Sequence, residues 1–285
     1  MIPALMYFYY IHFRDYETIS FFTYYSQIFF GFGEMPMDWS GPTWPDMQFG
    51  HLWFLQHLLV YAIVLAIWTF FFPLKSNKQN TERIKVYQVL LAILVVTLAT
   101  YIVRIWYPVD HWIGVLGFIQ TELAHLPQYV SFFALGIMAS RRNWLLTMNK
   151  RIGYIWLAVG LGLVCLMYFG GEWLYPYLLK GGAAFGSLSR SLIETLLCFS
   201  LVIGLVVLFR EKGNGDHQLS KSLASHIFVV YFLHVPIVVF LQFMFSGLQV
   251  MILTKFLRTS ILGIILSFLI SHYVWRKIPF LKNLM

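Results

Sequence analysis

The stretch that decides the fold is RSLIETLLCFSLVIGLVVLF, residues 190–209. Only Arg190 and Glu194 carry a charge in it. A helix that crosses a membrane needs about 20 predominantly apolar residues, within a range of about 17–25. This run has that length, and the sequence therefore predicts a transmembrane helix here.

Similar apolar runs fill the rest of the chain, separated by charged residues, prolines and turn residues. The other runs cover 2–13, 51–72, 86–107, 127–139, 153–170, 225–245 and 251–275, of which 2–13 and 127–139 are short. The pattern predicts an all-α polytopic membrane protein with about eight transmembrane helices. Because no internal repeat or low-complexity tract interrupts it, we expect one domain over residues 1–285.

The composition leads to the same class of protein. The chain has 285 residues, of which 59% are hydrophobic and 11% are charged. Its mean hydropathy is +0.71. Soluble domains carry about 25% charged residues, so this chain lacks the polar surface of a water-soluble protein. The composition excludes a cytosolic enzyme, a disordered chain and a nucleic-acid-binding domain, despite a net charge of +8.

The basic residues also predict an orientation. Loops on the cytoplasmic side of a membrane protein carry an excess of Lys and Arg, and 14 of the 20 basic residues here fall in one alternating set of loops. They are Lys75, Lys78, Arg83, Lys85, Arg141, Arg142, Lys150, Arg151, Arg210, Lys212, Lys221, Arg276, Lys277 and Lys282. Both termini are then cytoplasmic.

Ionisable side chains within apolar runs are the best candidates for a site, because each costs at least about 2.5–3.5 kcal/mol at the centre of a membrane helix. The motif GHLWFLQH, residues 50–57, places His51, Trp53 and His57 close together. At about 100° per residue, His57 points away from His51. The alternative is an ordinary interfacial cluster of His and Trp at a helix end.

The motif YFLHVP, residues 231–236, is the second candidate. Tyr231 and His234 lie on one side of a helix at spacing i, i+3. Pro236 has no backbone N–H, and it should therefore leave a carbonyl near residue 232 in need of a partner. We favour a site in which His234 accepts a hydroxyl proton or orients a substrate over a packing role.

Charged residues occur in two other runs. Arg190 and Glu194, at spacing i, i+4, form either an intrahelical ion pair or a substrate contact, and the sequence does not decide between them. Lys255 and Arg258 share one face of the last run, and Arg104 is considered with them. Such basic side chains extend to the membrane surface unless they meet an anion.

Aromatic residues are dense in the outward loop 14–50, where Trp39 and Trp44 are prominent. Such rings favour the membrane interface, and the alternative is a platform on which sugar rings stack. The sequence contains no His-Glu-x-x-His, no Walker loop and no pair of Cys-x-x-Cys motifs. We therefore expect no metal site and no nucleotide hydrolysis.

Four motifs carry a resemblance to a known family. They are FGHLWFLQHLLVYAI (49–63), FFALGIMASRRNWL (132–145), ETLLCFSLVIGLVVLFRE (194–211) and FVVYFLHVPIVVFL (228–241). In this order they resemble the membrane-bound acyltransferase-3 family, and in particular its glucan-modifying, succinyltransferase-like branch of O-acyltransferases.

The resemblance implies transfer of a succinyl or acetyl group from a cytoplasmic thioester donor, such as an acyl-CoA, to a hydroxyl of an extracytoplasmic glycan. No bound cofactor is implied, and the bilayer and the glycan are the expected partners, in a bacterial inner membrane. His51 and His234 fall at matching motif positions and become the catalytic candidates. The substrate-binding candidates are Trp53, Tyr231, Arg190, Glu194, Trp39 and Trp44.

The same resemblance suggests that the chain lacks N-terminal helices. Family members have about ten helices or more, and an Arg followed by a His marks the first of them. Residues 2–13 correspond to a later helix. Two other functions therefore stay open, namely an inactive truncated homologue or partner subunit, and a transporter. We find no matching pair of broken helices in the two halves, which counts against a transporter.

Overall fold

The computed structural model describes residues 2–13, 18–39, 41, 43–73, 84–213 and 218–273. It is mostly helical, at 75%. The helices are α1 (Ile2–Phe13), α2 (Phe21–Thr23), α3 (Trp53–Phe71), α4 (Val86–Trp106), α5 (Leu126–Arg141), α6 (Trp144–Thr147), α7 (Lys150–Phe169), α8 (Gly171–Leu174), α9 (Phe185–Leu208), α10 (Gln218–Phe245) and α11 (Ile252–Tyr273). Short 3₁₀ turns precede α3 and α5, at Gly50–Leu52 and Leu123–His125, and π-helical turns cover Tyr24–Phe29 and Phe209–Gly213.

Six helices in the described residues are long and apolar enough to cross a membrane. They cover Gly50–Phe71, Val86–Trp106, Lys150–Phe169, Phe185–Gly213, Ser220–Phe245 and Ile252–Tyr273. These match six of the eight predicted runs. The other two runs form α1 and α5, which are helical but have only 12 and 16 residues. The polytopic helical class is confirmed, and the count of eight stays a prediction.

The chain divides into two compact units. The first combines Met1–Phe29, Phe49–Leu52 and Gly215–Met285, and the second combines Phe30–Gln48 with Trp53–Asn214. The prediction of a single domain over 1–285 stays untested.

Helices α7 and α9 pack closely in the second unit because glycines line their contact. A Cβ placed on Gly204 would lie 2.5 Å from the Leu157 Cα atom, and one on Gly153 would lie 2.5 Å from the Val207 side chain. Small residues let membrane helices approach each other in this way. Beside this contact, a buried cluster joins α4, α7 and α9, and its members are Val89, Ile93, Val96, Trp156, Phe199 and Ile203.

A β-hairpin follows α4 in the second unit, which the prediction of an all-α fold did not include. Strands β1 (Trp112–Val115) and β2 (Ile119–Glu122) pair antiparallel, with Trp112 opposite Glu122. Gly117 turns the chain at φ +79°, a conformation that glycine adopts at no steric cost. The Gln56 side chain on α3 donates to the Phe118 carbonyl at 2.8 Å and so ties α3 to the hairpin.

The first unit is built around α10 and α11. A Cβ on Gly263 of α11 would lie 3.2 Å from the Val238 side chain of α10, so the two helices are close there. The buried His226 and Ser271 side chains, also from α10 and α11, are hydrogen-bonded at 2.8 Å. Phe8 of α1 contacts Phe243 of α10 edge to face, with ring centroids 5.2 Å apart.

Candidate functional site

His51 lies in the 3₁₀ turn Gly50–Leu52 of the first unit. Gly50 opens this turn at φ +51°, where a side chain would be strained. The Tyr231 hydroxyl donates to the His51 carbonyl oxygen at 2.7 Å. Tyr231 therefore fixes the backbone of the turn that carries His51.

The His51 ring is held by the carbonyl whose usual helical donor is missing at Pro236. Within an α-helix, the carbonyl of Phe232 would accept from the N–H of residue 236, but proline has none. The His51 Nε2 atom lies 3.0 Å from that carbonyl oxygen. The sequence prediction that a carbonyl near residue 232 takes another partner is confirmed.

This bond fixes the tautomer of a neutral His51. A carbonyl oxygen only accepts, so the Nε2 atom must carry the proton, and the Nδ1 atom keeps a lone pair. The Nδ1 atom is buried and has no hydrogen-bond partner among the described residues. His51 therefore presents an unoccupied proton acceptor, away from water.

His234 lies beside His51. Their ring centroids are 5.3 Å apart, and the Tyr231 ring lies 6.0 Å from His51 and 5.7 Å from His234. The His234 Nδ1 atom lies 2.6 Å from the Tyr231 carbonyl oxygen. That bond places the proton of a neutral His234 on the Nδ1 atom and leaves the Nε2 atom as an acceptor. These three side chains were predicted from two motifs that are far apart in the sequence. We call His51, Tyr231 and His234 the His51 cluster.

Trp53, the next predicted site residue, belongs to the second unit. Its ring contacts the rings of Tyr129, His57 and Trp112, with centroids 5.4, 5.4 and 5.9 Å apart. His57 is buried, with its Nδ1 atom 2.8 Å from the Trp53 carbonyl oxygen and its Nε2 atom 3.0 Å from the Thr121 hydroxyl. Both ring nitrogens of His57 are therefore occupied, in contrast to those of His51.

Glu194 lies at the centre of a partly buried charge cluster in the second unit. Its carboxylate meets Arg104 Nη2 at 2.5 Å, Arg190 Nε at 2.9 Å and His125 Nε2 at 3.5 Å. Arg104 is 0% exposed. We call Arg104, Glu122, His125, Arg190 and Glu194 the Glu194 cluster. A buried guanidinium requires such an anion, because an unpaired buried charge is strongly destabilising.

Two members of the Glu194 cluster lie outside the membrane-spanning helices. The His125 Nδ1 atom lies 2.9 Å from a Glu122 carboxylate oxygen. Burial lowers the pKa of His125, but its bonds to Glu122 and Glu194 outweigh this and raise the pKa to about 9. Burial raises the pKa of Glu122, whereas its bonds to His125 and to the Asp110 backbone lower it below the ordinary value. Both side chains are therefore charged at neutral pH.

The remaining predicted residues have partners of their own. The intrahelical pair of Arg190 and Glu194, one of the two alternatives, is confirmed, and a substrate contact by these residues stays a prediction. Trp39 and Trp44 meet edge to face with centroids 5.2 Å apart, and the Trp39 Nε1 atom donates to the Thr43 carbonyl at 3.1 Å. The sugar platform also stays a prediction.

The sequence analysis did not identify Glu122 and His125 as site residues. It grouped Arg104 with Lys255 and Arg258, whose side chains extend to the membrane surface unless they meet an anion. Arg104 meets Glu194 instead. The i, i+3 spacing of Glu122 and His125 was the available signal. Among the residues that the structure describes, no group of three His, Cys, Asp or Glu side chains could hold a metal ion.

The long apolar helices define the class: an integral, polytopic membrane protein. A family model described as "Acyltransferase domain" matches residues 2–276, nearly the whole chain, and the protein therefore belongs to the acyltransferase-3 family. No curated protein and no solved structure matches the chain.

Proposed function

We propose that the protein is an O-acyltransferase that moves a succinyl or acetyl group from a cytoplasmic acyl-CoA to a hydroxyl of an extracytoplasmic glycan. Membership of the acyltransferase-3 family supports the reaction class. The resemblance to the glucan-modifying branch supports the choice of acceptor. The proposal places the protein in a bacterial inner membrane with both termini cytoplasmic, as the distribution of basic residues predicts.

The observation that carries the proposal is the buried, unoccupied Nδ1 atom of His51. A hydroxyl is a poor nucleophile until a base takes its proton. As the acceptor oxygen attacks the thioester carbonyl, the His51 Nδ1 atom takes that proton. The carbon–sulfur bond then breaks, and the imidazolium returns the proton to the departing thiolate. Throughout, the Phe232 carbonyl accepts a hydrogen bond from the Nε2–H group of His51, which leaves the Nδ1 atom to take the proton.

His234 has a different role in this proposal. Its Nε2 atom accepts a hydrogen bond from a hydroxyl of the acceptor and so orients the sugar beside His51. Tyr231 positions both histidines, because its hydroxyl holds the His51 backbone and its carbonyl accepts from His234. Trp39, Trp44 and Trp53 are proposed to contact sugar rings, and Arg190 and Glu194 to contact polar groups of the substrate.

The test is acyl transfer by the purified protein in proteoliposomes. Succinyl-CoA and acetyl-CoA are supplied in separate reactions with a glucan oligosaccharide, and the mass of the product identifies the group transferred. His51→Gln should lower kcat by about 10²–10⁴-fold, the usual contribution of a general base. His234→Gln should mainly raise KM for the glucan.

The matched control is His111→Gln, because His111 is exposed and belongs to the second unit. It should leave transfer unchanged. Full turnover by His51→Gln would contradict the role of His51. Absence of transfer by the wild-type protein with both donors would contradict the proposed function and favour the inactive homologue.

A further inference from the structure

A cavity of about 480 Å³ lies among α4, α5 and α9, in the second unit. Its volume is within the range of about 300–1,000 Å³ that small-molecule sites occupy. The walls are apolar, and three of the lining side chains, Leu91, Val95 and Val202, are 56%, 57% and 47% exposed. The cavity is therefore a groove that opens sideways, towards the surface that spanning helices present to lipid.

Charge is concentrated at one end of this groove. Arg142 is the one charged residue of the described chain that lines it. Further basic residues lie at nearby helix ends. They are Lys85 before α4, Arg141 at the end of α5, and Lys150 and Arg151 at the start of α7, which packs against α9. Basic pockets between membrane helices bind anionic headgroups, because phosphate oxygens accept charge-assisted hydrogen bonds from Arg and Lys.

We propose that the groove binds one acyl chain of an anionic membrane phospholipid, with the phosphate held at Arg142. A bilayer lipid reaches an opening that faces the membrane without passing through water. Its acyl chain displaces no polar group from the apolar groove. The basic end selects an anionic headgroup over a zwitterionic one. Separate substitutions can therefore remove the contribution of the acyl chain and that of the headgroup to binding.

Gly136 provides the variant that fills the groove. It lines the cavity, and a Cβ placed on it would meet nothing within 4 Å. The Cβ atom of Gly136→Leu should therefore meet no neighbour, and its larger side chain should narrow the groove. Gly162 on α7 also has nothing within 4 Å and does not line the groove, so that Gly162→Leu is a matched control.

The experiment is native mass spectrometry of the purified full chain, titrated with phosphatidylglycerol or with phosphatidylcholine of identical acyl chains. The wild-type protein should bind phosphatidylglycerol at least about fivefold more tightly, the factor expected for one basic residue beside an anionic headgroup rather than a zwitterionic one. Arg142→Gln should bring the two affinities within twofold. Gly136→Leu should weaken phosphatidylglycerol binding at least tenfold, and Gly162→Leu should not.

Three results would overturn the proposal. Equal affinity of the wild-type protein for the two lipids would exclude selection by charge. Unchanged binding by Gly136→Leu would place the lipid elsewhere. Displacement of phosphatidylglycerol by a stoichiometric amount of long-chain acyl-CoA would assign the groove to an acyl donor. Arg142 caps the end of α5 rather than lying within it, so Arg142→Gln tests the headgroup contact even where Gly136→Leu does not fold.

Discussion

Replacing Glu194 by glutamine tests the electrostatics of the second unit. Glu194→Gln keeps the shape of the side chain but removes the anion that Arg104, Arg190 and His125 share. Arg104 is 0% exposed, and its other acceptors among the described residues, the Ser191 hydroxyl and the Ala124 carbonyl, are both neutral. Breaking a buried ion pair from one side costs about 3–5 kcal/mol. We expect the free energy of unfolding to fall by about 3 kcal/mol, since the Glu194 side chain is 23% exposed.

The assay is equilibrium unfolding by denaturant in detergent micelles, followed by tryptophan fluorescence. Arg190→Gln is the control, because Glu194 keeps Arg104 and His125 as partners when Arg190 is lost, and the loss should be about 1 kcal/mol or less. The double variant Arg104→Met, Glu194→Leu removes both charges and should recover at least half of the loss. A loss below about 1 kcal/mol for Glu194→Gln, or a double variant less stable than the single one, would refute the reasoning.

Three further predictions concern the backbone of the site, the effect of pH and the helix packing. Tyr231→Phe removes the hydrogen bond to the His51 carbonyl and should lower the free energy of unfolding by about 0.5–1.5 kcal/mol. The rate of acyl transfer should fall less than tenfold. A loss of transfer as large as that of His51→Gln would show that Tyr231 does more than hold the turn. Because the pKa of His125 is raised from 6.5 to about 9, its contribution to stability is complete below pH 6.5 and is lost as the pH rises through 9. Unfolding midpoints measured across this range should fall in the wild-type protein and change less in His125→Gln, and equal slopes would contradict the assignment. Gly204→Ala forces a Cβ to within 2.5 Å of the Leu157 backbone and should destabilise by about 1–3 kcal/mol, whereas Gly162→Ala meets nothing and should be neutral or slightly stabilising in the same unfolding assay.

The apolar runs predicted the helices well because length and hydrophobicity are properties of a single segment. The run 86–107 forms Val86–Trp106, and the run 251–275 corresponds to Ile252–Tyr273. Pro236 was equally informative, since the loss of one backbone donor is a local effect and its consequence at Phe232 follows from helix geometry.

Pairing between segments was harder to predict. Glu194 has one partner at spacing i, i+4, which the sequence displays, but Arg104 and His125 reach it from other elements. The hairpin at 112–122 was overlooked because its strands have four residues each, too short for a clear alternating pattern. His51 and His234 were identified separately, and only the fold shows that they share a cluster.

Chemical rescue of His51→Ala tests the central claim most directly, because it asks whether the missing group is a base. The glucan acylation rate of this variant is measured in proteoliposomes with and without imidazole in the buffer. The account predicts a loss of at least about a hundredfold and a recovery of about tenfold or more with imidazole. A wild-type rate without imidazole, or a loss that imidazole does not change, would contradict the claim that the His51 Nδ1 atom accepts the hydroxyl proton.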